Sequence, residues 1–214
     1  MGKFLRLFKQ TITYGIATVF PRIISVILVR VHTDKSVISE VSEFGTLSLI
    51  FSYIILFNVI LSYGLETSFF RFYNKEKNKK DVLNTAAVSI LISSLLFASI
   101  FSIFKINISH FTGISSGYLS IIVWILVVDA LTVIPFAYLR LKGSATKYSV
   151  VKIVNVIIYF SLNIFLLIFL KDLIHSYEIF ESIYVENYEV AYIFIANLIA
   201  VFLLYYCYCL FILK

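Results

Sequence analysis

The chain has 214 residues, 61% of them hydrophobic and only 14% charged, with mean hydropathy +0.97 and a formal net charge of +6. A soluble domain carries about 25% charged residues and must keep a wetted surface, so this composition excludes a water-soluble globular fold and implies an integral membrane protein. The excess lysines and arginines are divided among short loops rather than gathered on one face, which excludes a nucleic-acid surface.

A helix crosses the hydrocarbon with about 20 apolar residues, and lipid offers the backbone no other hydrogen-bond partners. Six stretches qualify, and strand-like alternation is missing, so the sequence predicts an all-α fold, a polytopic six-helix transmembrane bundle forming a single lobe over 1–214. The first span, 10–31, follows a basic start and has no small-residue cleavage site, so it reads as a retained helix rather than a signal peptide. It carries Thr11, Tyr14, Gly15, Thr18, Arg22 and Ser25 at steps of three and four, one polar stripe on a helix. The second span, 44–66, repeats the pattern with Asn58, Ser62 and Glu66. The third, 82–104, has Ser89 and Ser93, and the fourth, 118–139, has Asp129 and Thr132 with Pro135 beyond them. The fifth, 150–170, carries Lys152, Asn155, Tyr159 and Asn163 on one face, and the sixth, 190–213, has Asn197.

Charge sets the expected orientation. The side holding the N-terminus collects Lys3, Arg6, Lys9, then Arg71, Lys75, Lys77, Lys79 and Lys80, then Arg140, Lys142, Lys147 and Lys152, and finally Lys214. The other side has Arg30, Lys35, Lys105 and Lys171, and most of the acids. By the positive-inside rule both termini are expected to be cytoplasmic. The loop over 171–189 is acidic and aromatic, which suits an interfacial turn, and Asn107–Ser109 matches a glycosylation sequon beside a span. Cys207 and Cys209 lie two apart in the last span and read as small apolar fillers.

Charged groups inside the spans carry the functional reading. Arg22 and Asp129 fall near mid-span, where each costs roughly 2.5–3.5 kcal/mol to insert. Either the two pair with each other, or Arg22 faces a water-filled cavity and attracts an anion while Asp129 sits elsewhere. The chain's two prolines, Pro21 and Pro135, both lie within spans near these charges, which suits a cavity or a bend. Glu66, at the end of the second span, is placed to pair with Arg71 or Arg140. Lys152 either snorkels to headgroups or extends a basic entrance. No nucleotide loop, nucleophile elbow or metal-spaced histidine set occurs, so neither an enzyme nor a metal or cofactor is expected.

The stretch TYGIATVFPRIISVILVRVHT at 13–33 resembles the first span of bacterial polysaccharide-biosynthesis membrane proteins. These are the O-antigen and lipid-linked oligosaccharide flippases of the multidrug/oligosaccharidyl-lipid/polysaccharide exporter superfamily. The resemblance continues through EFGTLSLIFSYIILFNVILSYGLETSFFRFYN at 43–74 and returns at 134–167, IPFAYLRLKGSATKYSVVKIVNVIIYFSLNIFLL. It implies a plasma (inner) membrane transporter of two six-helix lobes. Alternating access would carry a polyprenyl-pyrophosphate-linked oligosaccharide between leaflets for surface polysaccharide, such as lipopolysaccharide O-antigen. Arg22 matches a cavity arginine that meets the pyrophosphate. Arg71 and Arg140 fit the family's FFRF and AYLR patterns at the cytoplasmic mouth, with Glu66 and Lys152. Thr18, Ser25, Asp129, Asn155 and Asn163 join Arg22 as expected substrate-binding residues. Six spans would then be the first lobe of a larger transporter, or one of two copies that associate. The competing expectations are a drug or cation antiporter lobe of the same fold, for which Asp129 is the deep acid, a membrane-embedded glycosyltransferase or polymerase component, and a non-transporting remnant.

Overall fold

The computed structural model describes residues 2–34, 37, 38, 41–170, 173, 185 and 188–212. Among these the chain is helical, with no strand: α1 Gly2–His32, α2 Val41–Ser62, α3 Leu65–Lys75, α4 Lys79–Ile103, α5 Lys105–Thr112, α6 Ser116–Leu141, α7 Ala145–Ile164 with a π-helical turn at Phe165–Phe169, and α8 Glu189–Ile212. Six segments are long and apolar enough to cross a membrane: Phe8–His32, Val41–Lys75, Lys79–Ile103, Ser116–Leu141, Ala145–Phe169 and Glu189–Cys207. Each overlaps a span expected from composition.

The second span departs from expectation. Rather than ending near residue 66 it breaks and restarts: Tyr63 and Gly64 adopt φ of 29° and 69°, and α3 continues to Lys75. Glycine tolerates that left-handed conformation because it has no Cβ. The break turns Phe69 inward, 2% exposed, against α4 and α6, and stacks it with Tyr73 at 5.4 Å. Arg71 therefore stands on a helix rather than in a loop, and its side chain is exposed.

The bundle is organised around α6. Its sequence, SIIVWILVVDALTVIPFA, is apolar on nearly every side, and a helix of that kind belongs inside. Ile125, Leu126, Ile134 and Ala137 are fully or almost fully buried, and α2, α3, α4, α5, α7 and α8 all pack on this helix. Leu47 and Ile50 of α2, Ile90 of α4, and Ile193 and Phe194 of α8 complete the core, with Phe51 against Phe194 at 5.4 Å.

The first helix is peripheral. It packs along α7, through Ala17, whose side chain is fully buried against Tyr148 and Leu139, and through Leu28. Three polar ties fix the register. Gln10 Nε2 donates to the Gly143 carbonyl at 3.3 Å, Ser149 Oγ donates to the Thr13 carbonyl at 2.9 Å, and His32 Nε2 lies 3.1 Å from Asn163 Oδ1. Both prolines sit inside continuous helices. The sequon residue Asn107 is exposed on α5, a short helix rather than a loop. The acidic loop and its expected interfacial turn lie outside the described residues, apart from isolated positions. One of these, Val185, donates its N–H to the Tyr192 hydroxyl at 2.7 Å.

Candidate functional site

One face of α6 breaks the apolar rule. Asp129, Thr132 and Arg140 recur at helical spacing along a groove, together with Val133 and Phe136, which also pack against the buried clusters. Tyr148, Lys152 and Asn155 of α7 form one wall, Glu66 of α3 faces them, and Pro21 of α1 and Leu204 of α8 close the sides. This cavity is about 400 Å³. A second, more open hollow of about 560 Å³ runs on along α2 past Asn58 and Ser62 and shares Glu66, Asp129 and Thr132 with the first. The two are arms of one polar groove between α1 and α7 on one side and α2 and α3 on the other.

Charge is arranged by depth. Asp129 lies in the middle of α6 and Arg140 at its end, about 16 Å further along at 1.5 Å per residue. At half-depth the Asp129 carboxylate accepts a 2.9 Å hydrogen bond from Asn58 Nδ2, and its backbone carbonyl accepts from Thr132 Oγ1 at 2.7 Å. At the mouth Arg140 and Glu66 form a two-point ion pair, at 2.6 and 3.3 Å. Parallel geometry of this kind gives arginine–carboxylate pairs their directionality. The Arg140 guanidinium also sits 5.4 Å from the Tyr148 ring centre, and Lys152 Nζ sits 5.3 Å from the same ring. Tyr14 and Phe136 meet that ring edge-on at 5.2 and 5.3 Å and hold it in place. One aromatic ring thus carries two cations, which a π face attracts. Among the described residues Arg140 is neutralised by Glu66, whereas Lys152 has no acidic partner.

The structure gathers five of the ten residues singled out in the sequence: Asp129, Asn155, Glu66, Arg140 and Lys152. Asn155 is tied down within it, since its Nδ2 donates to the Ala200 carbonyl at 2.9 Å and links α7 to α8. Asn163 is elsewhere, fully buried between α7 and α1, where its amide donates to the Tyr159 carbonyl and meets His32. Thr18 and Ser25 are exposed, and their hydroxyls turn back to the carbonyls of Tyr14 and Pro21 on their own helix. Arg71 is exposed outside the groove.

Arg22 is exposed, with no ion pair or hydrogen bond to a described residue, and the Asp129 carboxylate is held by Asn58 instead. The geometry explains this. Pro21 reaches the groove wall, and the next residue on a helix points about 100° further round, past the groove's edge. Tyr148 was the residue missed by sequence reasoning. The signal was its spacing, since Tyr148 and Lys152 are one helical turn apart and hence neighbours.

Comparison with protein-family models, with characterised proteins and with solved structures finds no match to this chain.

Proposed function

We propose that this chain is a lobe of a membrane translocator that moves a polyprenyl-pyrophosphate-linked oligosaccharide across the plasma membrane for surface polysaccharide assembly. The cation-rich end of the bundle would lie on the cytoplasmic side. The observation that carries this reading is the polar groove itself. It runs from Lys152, which has no acidic partner among the described residues, and the Arg140–Glu66 pair at the mouth to Asp129 in the middle of α6. A pyrophosphate entering a low-dielectric region gains most from fixed cations, because Coulomb attraction grows as the effective dielectric constant falls. The buried Tyr148 ring seats the two mouth cations, Arg140 and Lys152, side by side at the groove's edge.

A second six-helix unit belongs to this proposal. The stripe of Thr11, Thr18, Arg22 and Ser25 is exposed beside the groove's edge, and a guanidinium at that depth is costly against acyl chains. A facing lobe would turn the open groove into a closed passage with Arg22 on its wall. The test is translocation of a fluorescent polyprenyl-pyrophosphate oligosaccharide in vesicles reconstituted with the protein. Lys152→Ala is expected to slow translocation at least tenfold and Lys152→Arg to retain most of it; equal rates in all three would overturn the reading.

Asp129 favours a second reading, a lobe of a drug or cation antiporter. A carboxylate at half-depth, with one amide donor and an open cavity on either side, suits an exchangeable ion. Proton-driven dye efflux that vanishes in Asp129→Asn, with no oligosaccharide translocation, would replace the first reading by this one.

A further inference from the structure

A different surface of α7 carries a second site. On the flank away from the polar groove, Val150, Val151, Val154 and Ile158 of α7 and Leu203, Leu204 and Cys207 of α8 line a trough of about 400 Å³. Asn155 and Leu204 line both cavities and form the partition between them, with the Asn155 amide bonded to Ala200. The trough presents almost no polar surface. From Thr146 to Ile158 it extends about 18 Å along the helix, close to the thickness of one leaflet, about 15 Å of hydrocarbon.

Its outer end is different in kind. There Thr146 and Lys147 also line a polar hollow of about 360 Å³, together with Lys9, Gln10 and Thr13 of α1 and the Gly143–Ser144 turn. Among the described residues, no acid lines either cavity. Lys9 and Lys147 form no ion pair with a described residue, and both are exposed. A basic hollow thus adjoins an apolar trough about as long as a leaflet is thick, the two sharing Thr146 and Lys147. An amphipathic ligand with a negative head and a single apolar tail in the trough matches both parts. Basic pockets between membrane helices commonly take acidic headgroups.

We propose that this paired cavity is a binding site for one anionic phospholipid of the bilayer, its phosphate between Lys9 and Lys147 and one acyl chain along Val150, Val154 and Ile158. The site lies outside the polar groove and does not depend on the translocated substrate. The packing also gives it a mechanical meaning: the lipid would bridge α1, α7 and α8, joining the peripheral helix to the rest of the bundle.

The experiment uses the purified full chain in detergent, offered phosphatidylglycerol and phosphatidylcholine of the same chain length in equal amounts, with retained lipid read by native mass spectrometry. Phosphatidylglycerol is expected to be retained about thirtyfold over phosphatidylcholine, the scale of preference two interfacial lysines supply. The Lys9→Gln/Lys147→Gln variant should lose that preference and the Lys9→Arg/Lys147→Arg variant keep it. Val154→Trp, which fills the trough, should reduce retention of both lipids. Equal retention by the unmodified chain, or a preference that survives Lys9→Gln/Lys147→Gln, overturns the proposal. So does displacement by inorganic phosphate where chloride of the same ionic strength has no effect, since that result would mean the hollow binds a free anion without the tail. Should the glutamine variant fail to fold, the competition on the unmodified chain decides alone.

Discussion

Removing the amide of Asn58 tests how the deep carboxylate is tolerated. Asp129 receives one side-chain donor among the described residues, Asn58 Nδ2 at 2.9 Å, from a helix that reaches it across the groove. A hydrogen bond to a charged group is worth about 1.5–3 kcal/mol in water-soluble proteins. In membranes the unfolded reference state also finds partners, and measured couplings average near about 0.6 kcal/mol with a maximum of about 1.7. The 2.9 Å distance and half-buried setting place this pair toward the upper end, so Asn58→Ala should destabilise by about 1–1.5 kcal/mol, roughly five- to twelvefold in the folding equilibrium. The assay is a double-mutant cycle of Asn58→Ala and Asp129→Ala, followed by reversible unfolding in mixed micelles. With Asp129→Ala already in place, Asn58→Ala should cost about 1 kcal/mol less than it does in the native chain. An identical cost in both backgrounds would refute the reasoning, because the bond would then contribute nothing to the folded bundle.

Three further expectations concern other parts of the fold. Gly64→Ala should destabilise by about 1–2 kcal/mol because its φ is +69°, whereas Gly45→Ala, inside α2 with open space around it, should stabilise by about 0.5–1 kcal/mol; thermal unfolding of the two variants side by side checks the contrast. Asn163→Leu leaves the buried His32 ring without its side-chain partner, so a loss of about 1–3 kcal/mol and faster proteolysis near the α1 end are expected, read by limited digestion in detergent. Arg22→Ala should leave unfolding unchanged within about 0.5 kcal/mol, since the side chain is exposed and touches no described partner. On the proposed function it should nevertheless abolish translocation, with Arg22→Lys retaining part, and normal transport by well-expressed Arg22→Ala would remove arginine from the mechanism.

The six spans were readable because lipid leaves little choice. An apolar stretch of that length must be a helix, and the expected limits fall within a few residues of most described ones. The break at Tyr63–Gly64 was not readable, since SYGLE sits in an otherwise continuous apolar pattern and a single glycine also fits a straight helix. Polar stripes could be read as faces, but their neighbours could not. In water the hydrophobic effect would drive one face of α1 inward, whereas in lipid both faces are tolerated, and packing by Ala17 and Leu28 decided the rotation that leaves Arg22 outward. The Glu66 pair was narrowed to two arginines by sequence and to Arg140 by the turn at Gly64, which aims α3 at the end of α6. The aromatic seat under Lys152 follows from one helical turn of α7, and it was legible without any tertiary information.

The placement of α1 has a consequence for biosynthesis. The three polar ties described for this helix reach more than a hundred residues ahead, from Gln10 to Gly143, Thr13 to Ser149 and His32 to Asn163. At about 5–20 residues per second of translation, the first helix waits on the order of 7 to 26 s before its docking partner leaves the ribosome. During that interval it lacks the contacts that bury Ala17, Leu28 and His32 in the folded chain. Premature capture of that face by another nascent chain is the error to which this order of synthesis is exposed.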